Sequence, residues 1–247
     1  MSFDEPVRSV GAATVAFVAA LGIECASLRR QARAAAWLVT QSGPGAERAS
    51  AAAARTIDAG ARLVISWGLA GSLDAGLRPG TLVVPRRVLS QGAGPLPVDA
   101  AWHARVAALA DAFALHDGDL LTAPAALESP AAKRAAAAAT HAVAVDMESA
   151  AIAAAAARAR VPFIALRVVV DGLEDSLPPH AERWIDERGE RRMATTLRAV
   201  VSPRQWRALL TLAKRYRVAS GVLDRLAQAL AARRVLALDP ATARVGG

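Results

Sequence analysis

An almost uninterrupted apolar run that stops at an acidic residue decides the fold: Pro162-Phe163-Ile164-Ala165-Leu166-Arg167-Val168-Val169-Val170-Asp171-Gly172. A strand covered on both faces has this character, because neither face meets water. The segment before it, Ser149 to Arg160, is rich in alanine and nearly free of polar residues, which predicts a helix packed in the core. A short apolar strand, Ala142 to Val145, precedes that helix. Strand, helix and strand in this order indicate an α/β fold.

The same alternation extends over residues 14–179 and predicts a single three-layer α/β/α domain with a mixed, mostly parallel sheet. Predicted strands cover residues 14–21, 36–40, 62–67, 81–84, 118–122, 142–145 and 162–170. Predicted helices cover residues 24–36, 46–60, 100–114, 131–139 and 149–160, and further helices follow at the C-terminus. In such folds, ligands bind beyond the carboxyl ends of the strands. Functional residues are therefore expected just after strands.

Composition limits the class of protein. The 247 residues are 54% hydrophobic and 21% charged, values that exclude wholesale disorder and allow a large buried core. A single cysteine, Cys25, excludes a disulfide framework and a multi-cysteine zinc site. The most apolar stretch, Ala12 to Ile23, is shorter than a membrane span and follows Asp4 and Glu5, which is a poor secretory signal. A cytoplasmic protein is expected.

The excess of positive charge lies in the C-terminal part of the chain. Residues 1–179 hold 16 Lys/Arg and 16 Asp/Glu, whereas residues 180–247 hold 14 and 6. Only Lys133 and Lys214 are lysines. Compositional bias explains the abundance of arginine and alanine, but it does not place charge asymmetrically. We therefore predict a core of residues 1–179 and a basic helical extension of residues 180–247 packed on that core.

Three carboxylates stand just beyond predicted strands: Glu24, Glu148 and Asp171. A carboxylate carried by backbone in or next to the core costs several kcal/mol unless something compensates for it. Three such groups favour acid/base chemistry, although a helix cap or a solvated turn residue is the alternative for any one of them. Asp146 is assigned to that alternative. Arg167 is interpreted as a buried ion-pair partner.

Five ordered motifs resemble the purine nucleoside phosphorylase superfamily, in particular its methylthioadenosine and S-adenosylhomocysteine nucleosidases. They are Ala19-Ala20-Leu21-Gly22-Ile23-Glu24, Ser42-Gly43-Pro44-Gly45, Gly68-Leu69-Ala70-Gly71-Ser72-Leu73 with Leu77-Arg78-Pro79-Gly80, Val145-Asp146-Met147-Glu148-Ser149-Ala150-Ala151-Ile152-Ala153, and Val161-Pro162-Phe163 to Asp171. The resemblance covers about residues 14 to 175. It implies a phosphorylase/hydrolase-like fold and an enzyme that cleaves N-glycosidic bonds.

The resemblance also implies roles that suit the chemistry. A purine leaves poorly as an anion, and the ribosyl group becomes cationic as the bond breaks. In the family, the residue at Asp171 protonates the base at N7, Glu148 binds ribose hydroxyls and Glu24 activates the attacking water. Met147 would pack on the ribose, with ordinary core packing as its alternative. The backbone of Ala126 and Leu127 would lie against the base, and Gly68 belongs to the glycine-rich motif at the substrate.

The chain departs from the nucleosidase pattern at several positions. Val170 stands where those enzymes place a serine that hydrogen-bonds the acid, and Ala126 where they carry a phenylalanine that stacks on the purine. Trp67 and Leu69 flank Gly68 where small polar residues are usual. Hydrolysis and phosphorolysis both remain open, with phosphate as the co-substrate of the second. No metal or organic cofactor is expected. A homo-oligomer is implied by the resemblance.

The C-terminal tail, residues 172–230, is not shared with the methylthioadenosine enzymes. Residues 175–179, 200–210 and the basic helix to Leu230 are similar to the hopanoid-associated phosphorylases, which implies removal of adenine from adenosylhopane. The two rival functions are a soluble nucleosidase or phosphorylase acting on methylthioadenosine or ordinary nucleosides, and a nucleoside-binding scaffold without activity.

The tail also has a basic amphipathic pattern, which is typical of helices on anionic membranes. Its apolar residues are Trp206, Leu209, Leu210, Leu212, Val218, Val222, Leu223 and Leu226, interspersed with arginine and Lys214. This pattern predicts peripheral association with the inner face of the membrane and a lipid-linked adenine nucleoside as substrate. The alternative is a helix pair that closes the domain with solvated arginines. No nucleic-acid partner is expected, since the tail has no recognised binding motif.

Overall fold

A computed structural model describes residues 14–177 and 203–238. Its helices are α1 (Gly22–Ala35), α2 (Ala46–Asp58), α3 (Ala100–Ala107), α4 (Pro130–Thr140), α5 (Ser149–Arg158) and α6 (Pro203–Ala232). Its strands are β1 (Thr14–Ala19), β2 (Trp37–Gln41), β3 (Ala61–Ser72), β4 (Leu82–Val83), β5 (Arg87–Ser90), β6 (Leu96–Pro97), β7 (Leu115–His116), β8 (Leu120–Thr122), β9 (Ala144–Asp146) and β10 (Phe163–Asp171). The predicted α/β class is confirmed.

One mixed sheet holds all ten strands, and β3 is its centre. β3 pairs in parallel with β1 and β10 and, at its carboxyl end, antiparallel with β9. β2 extends the sheet beyond β1, β4 and β7 beyond β10, and β8, β5 and β6 beyond β9. The pairings β10–β4, β3–β9 and β5–β6 are antiparallel, and the others are parallel. The sheet is therefore mostly parallel.

Helices cover both faces of the sheet, which makes three layers. Along β1, Val15 and Phe17 join a core cluster with α1 and α6, whereas Ala16 and Val18 join a second cluster with α2 and α5. This division follows from the alternation of side chains along a strand. The predicted three-layer arrangement is confirmed.

The C-terminal helix α6 is part of the first core cluster and packs against α1 and β10. Its buried apolar residues are Ala219, Val222, Leu223, Leu226, Ala227 and Leu230. The prediction that Val222, Leu223 and Leu226 belong to a membrane-facing surface is therefore wrong, because these side chains fill the protein interior. Val218 is exposed, and the side chains of Trp206, Leu209, Leu210 and Leu212 lie outside the described part. No described helix combines the length and the apolar character that crossing a membrane requires.

The structure differs from the predicted elements in two main places. β3 does not end at Trp67 but continues through the glycine-rich motif to Ser72, because β10 and β9 keep pairing with it. α3 ends at Ala107 rather than at residue 114, and i to i+3 hydrogen bonds follow as Leu109 turns into the core. The short strands β5, β6 and β7 were not predicted. The boundary at residues 179 and 180 falls outside the described residues and stays a prediction.

A bulge near the end of β10 prepares the site. Val169 pairs with Ala70, but the next partner, Gly71, pairs with Asp171, so Val170 is an extra residue. Bulges re-aim the side chains that follow them. Asp171 consequently lines a cavity at the carboxyl edge of the sheet.

Candidate functional site

The cavity lies where β1, β3, β9 and β10 end, as expected for an α/β sheet. Its volume is about 190 Å³. Most of its lining is apolar, and its polar lining comes mainly from a few buried side chains. The lining includes Ala20, Leu21, Glu24, Pro44, Leu69, Ala70, Gly71, Ala125, Ala126, Leu127, Lys133, Val145, Asp146, Met147, Glu148, Val170, Asp171, Leu177 and Tyr216.

Glu24 is held by backbone amides in the first turn of α1. Its Oε2 accepts hydrogen bonds from Ala20 N at 3.1 Å and Leu21 N at 2.9 Å, and its Oε1 accepts one from Leu69 N at 2.8 Å. Burial raises the pKa of Glu24, and the positive charge of Arg167 together with the three amides opposes that rise. The result is an oriented carboxyl group that can accept a proton.

Gly68 makes room for this carboxyl group. A Cβ at this position would overlap with Arg167 Nη1 and Glu24 Oε1, and would lie 2.6 Å from Glu24 Cδ. The backbone of Gly68 also has a φ of +155°, which side chains rarely adopt. Gly68 is not among the described residues that line the cavity, so its evident structural role is to let Glu24 and Arg167 approach β3. Its predicted contact with substrate stays a prediction.

Glu148 lies at the start of α5 and is buried. Its Oε1 accepts a hydrogen bond from Gly45 N at 2.9 Å, so the Ser42–Gly45 loop contributes an amide to the site. Burial and the nearby charge of Asp146 raise the pKa of Glu148 to about 7, against the opposing charge of Arg167. This carboxyl group can bind hydroxyl groups as an acceptor when ionised.

Asp146 and Arg167 form a buried ion pair beneath these glutamates, with Oδ2 and Nη2 2.6 Å apart. Asp146 also accepts from Thr122 Oγ1 at 2.7 Å and from Ser149 N at 3.1 Å, so it caps the start of α5 as well. Arg167 Nη2 donates to Ser66 Oγ at 2.6 Å. We call Arg167, Glu24, Asp146 and Glu148 the arginine cluster. The interpretations of Asp146 as a cap and of Arg167 as an ion-pair partner agree with this geometry.

Asp171 is buried and forms a short ion pair with Lys133 of α4. Burial raises the pKa of Asp171, and the ammonium group of Lys133 opposes that rise. Lys133 Nζ also donates to Gly172 O at 2.8 Å and Asp175 O at 3.0 Å. Asp175 in turn binds Arg215 of α6, with Oδ1 and Nη2 2.7 Å apart. We call Asp171, Lys133, Asp175 and Arg215 the lysine cluster.

The structure brings together all but one of the predicted site residues. Asp171, Glu24, Glu148, Met147, Ala126 and Leu127 line the same cavity, and Gly68 lies behind Glu24. Sequence reasoning missed Lys133 and Tyr216. The signal for Lys133 was its rarity, since it is one of two lysines in the chain. Tyr216 is the only tyrosine, and it belongs to a helix that was assigned to a separate extension.

The arrangement can protonate one part of a ligand while it stabilises positive charge on another. Asp171 has a raised pKa and is suited to donate a proton. The arginine cluster has three carboxyl groups for one guanidinium group, which favours a cation nearby. Within residues 14–177 and 203–238, no group of three histidine, cysteine or carboxylate side chains is arranged to hold a metal ion. That the reaction needs no metal or cofactor stays a prediction.

Solved structures with the same fold include three nucleoside hydrolases. The 5′-methylthioadenosine/S-adenosylhomocysteine nucleosidase of Neisseria meningitidis, in complex with methylthio-immucillin-A, has a TM-score of 0.70 at 18% identity, over 90% of this chain and 100% of that chain. The corresponding Helicobacter pylori nucleosidase has a TM-score of 0.65 at 16% identity, over 88% and 99%. The futalosine hydrolase of Helicobacter pylori has a TM-score of 0.65 at 15% identity, over 87% and 97%.

No curated protein sequence matches the chain significantly. The family pattern of the phosphorylase superfamily matches residues 33–202, which is more than half of the chain. That range includes β2 to β10 and every cavity residue described above except Ala20, Leu21, Glu24 and Tyr216. The chain therefore belongs to the phosphorylase superfamily, and it is an enzyme of the nucleosidase and nucleoside phosphorylase type.

Proposed function

We propose that the protein hydrolyses the N-glycosidic bond of an adenine nucleoside that carries an apolar 5′ substituent, and releases adenine. The observation that carries the proposal is the meeting of Asp171, Glu24 and Glu148 in one cavity. Each has the carboxyl group that one part of the reaction requires. The solved relatives named above are hydrolases of modified nucleosides, which supports the same reaction class.

In this proposal, Asp171 donates its proton to N7 of the base. The bond between C1′ and N9 breaks, and its electron pair stays on the base, which leaves as neutral adenine. A water molecule attacks C1′ and gives a proton to Glu24, while Glu148 accepts hydrogen bonds from the ribose hydroxyls. Solvent later returns the proton to Asp171 and removes one from Glu24. General acid and base catalysis of this kind contributes about 10²- to 10⁴-fold each.

Charge favours water over phosphate as the nucleophile. Among the described residues that line the cavity, Lys133 is the only cationic one, and its ammonium donors are occupied by Asp171, Gly172 and Asp175. Arg167 is not among the described residues that line the cavity, and its Nη2 is engaged by Asp146, Ser66 and Ser149. A phosphate dianion beside Glu24 and Glu148 would meet like charge without a matching donor. This is why we propose hydrolysis rather than phosphorolysis.

The lining supports an apolar 5′ substituent, since Leu21, Pro44, Leu69, Leu177 and Tyr216 all border the cavity. Ala126 also leaves more room than the phenylalanine of related nucleosidases. With the similarity of the tail to hopanoid-associated phosphorylases, these features lead us to propose adenosylhopane as the substrate. The basic residues Lys214 and Arg217 are exposed on α6, and we propose that they bring the enzyme to an anionic membrane that holds this lipid.

Adenine release tests the proposal. The enzyme is incubated with adenosylhopane in anionic liposomes or with methylthioadenosine in solution. Each reaction is run with and without phosphate, and all reactions are run in ¹⁸O-labelled water. We expect adenine from the lipid nucleoside without phosphate, with the label on the sugar. A ribose 1-phosphate that still carries the 5′ substituent, formed only with phosphate, would replace hydrolysis by phosphorolysis. A preference for methylthioadenosine and indifference to liposomes would contradict the lipid substrate, and binding without adenine release would indicate a scaffold.

A further inference from the structure

Lys133 is a buried lysine whose three ammonium hydrogens all have acceptors. Its side chain is 1% exposed. One hydrogen bond goes to Asp171 Oδ2, one to Gly172 O and one to Asp175 O. An ammonium group has three donors, so none is left for a ligand. Lys133 therefore acts on the site through the groups it holds.

Asp171 depends on this contact for its orientation. Val170, its neighbour in β10, has no hydroxyl group, and Lys133 donates a hydrogen bond to Oδ2 of the Asp171 carboxyl group. The carboxyl group also follows the bulge at Val170, where strand pairing fixes the backbone less regularly. The hydrogen bond from Lys133 engages Oδ2 and holds the carboxyl group in one orientation.

We infer that Lys133 is the positioning residue of the general acid: it fixes the Asp171 carboxyl group and, through two backbone carbonyls, the segment that follows it. The inference rests on the proposed function, because it takes Asp171 as the acid. It assigns to a lysine on α4 a task for which β10 itself offers no side chain.

Asp175 and Arg215 hold the same segment from its other side. Asp175 Oδ2 accepts a hydrogen bond from Gly172 N at 2.7 Å, which closes a tight turn after β10. Asp175 Oδ1 binds Arg215, which comes from α6. The two carbonyl acceptors of Lys133 thus belong to a turn that is braced by the C-terminal helix. The acid is connected to α4 and to α6 through one set of hydrogen bonds.

The residue type fits this task. The chain has 30 Lys/Arg, of which only Lys133 and Lys214 are lysines, so arginine is the ordinary cation of this protein. A guanidinium group is planar and presents its donors as a fork, whereas an ammonium group is compact and donates in three directions. Three acceptors around one buried point require the second geometry. The variant Lys133→Arg is therefore expected to lose activity although it keeps the positive charge.

A pH profile separates positioning from mere structural support. The charged groups that face Asp171 are Lys133 from α4, Asp175 from the turn after β10 and Arg215 from α6, while β3 contributes the uncharged Gly71. An acid works only while it holds its proton, so kcat/KM falls as pH rises past the pKa of Asp171. Lys133 lowers that pKa. Loss of Lys133 must then move the decline to higher pH.

The test compares Lys133→Gln and Lys133→Met with Arg134→Met. Arg134 is the next residue of α4, and its ion pair with Glu174 is exposed, which makes it a matched control. We expect the plateau of kcat/KM to fall about 10²-fold in both Lys133 variants, the loss that about 1 Å of misplacement causes. The decline at high pH should move upward, because the positive charge that favours the ionised carboxyl group is lost. Arg134→Met should match the wild type in the plateau of kcat/KM and in the pH at which kcat/KM declines.

Lys133→Gln keeps two N–H donors and is the safer variant for folding, and thermal unfolding of each variant is measured in parallel. Lys133→Ala with added propylammonium, which replaces the missing part of the side chain, should regain activity. A lowered plateau with an unmoved decline would overturn the inference, as would wild-type behaviour of Lys133→Gln. Failure of the proposed function looks different: the wild type releases no adenine, or Asp171→Asn keeps its rate.

Discussion

The two charged clusters of the cavity neutralise their buried carboxylates in different ways. In the lysine cluster, Asp171 and Asp175 are matched one for one by Lys133 and Arg215. The arginine cluster has three carboxyl groups, and its single Arg167 is paired with Asp146. Glu24 and Glu148 are held by backbone amides instead. One cluster is balanced, and the other has an excess of acidic groups.

The difference matches what each part of a nucleoside undergoes. A purine gains one proton, and the carboxylate that remains on Asp171 after donating it is stabilised by the ammonium group of Lys133. A ribosyl group gains positive charge. Burial raises the pKa of Glu24 and Glu148, and a cation beside them favours their ionised forms. Interactions that strengthen only as the cation forms accelerate the reaction rather than substrate binding. Three of the four predictions below alter one cluster and leave the other in place, and one alters α6, the helix that contributes Arg215 to the lysine cluster.

The largest effect is expected from Asp171→Asn in the lysine cluster. Asparagine keeps an oxygen acceptor for Lys133 but has no proton to give, so kcat should fall about 10²- to 10⁴-fold with the fold intact. Adenine release measures the rate, and circular dichroism checks the fold. Glu174→Gln is the control, because Glu174 is an exposed carboxylate three residues further along. A near-normal rate in Asp171→Asn would show that another group protonates the base.

Leu226→Ala tests whether α6 belongs to the folded domain that carries the lysine cluster. Leu226 is fully buried, and its truncation should lower the free energy of unfolding by about 2 to 5 kcal/mol. Val218→Ala is the control: Val218 is 45% exposed, so its change should stay within about 0.5 kcal/mol. Denaturant unfolding measures both. Equal stability of the two variants would mean that α6 does not depend on the core contacts described above.

Gly68→Ala affects the arginine cluster alone. Its methyl group would displace the Glu24 carboxyl group and the Arg167 guanidinium group, and a shift of about 1 Å should lower kcat about 10²-fold. Gly94→Ala is a suitable comparison, because nothing lies within 4 Å of a Cβ at that position. Steady-state kinetics of adenine release measure the effect. Wild-type kcat in Gly68→Ala would show that Glu24 does not need its present position.

The smallest effect concerns stability against pH. The pKa of Glu148 is raised from 4.5 to about 7 in the folded protein, so the folded state binds more protons than the unfolded state between these values. The free energy of unfolding should therefore fall as pH rises through this range, by about 3 kcal/mol. Glu148→Gln should flatten that decline. Denaturant unfolding at several pH values measures it, and an unchanged slope in the variant would contradict the raised pKa.

Much of the fold could be predicted because its signals are local. The apolar run of β10 and the alanine-rich α5 indicate buried elements by composition alone, and motif order brings Glu24, Glu148 and Asp171 to one edge of the sheet. Features that depend on distant partners could not be predicted. The extension of β3 to Ser72 depends on pairing with β10 and β9, and the ion pair of Lys133 joins residues 38 positions apart. The burial of Leu223 depends on where α6 docks, which its amphipathic pattern does not specify.

The placement of α6 has a practical consequence for protein engineering. Tyr216 borders the cavity, whereas Ala219, Leu223 and Leu226 of the same helix fill the core. Libraries that vary position 216 would change the shape of the cavity for larger or smaller nucleosides, while Ala219, Leu223 and Leu226 keep the helix packed in the core. A single helix thus carries an adjustable position and the fixed core positions along one face.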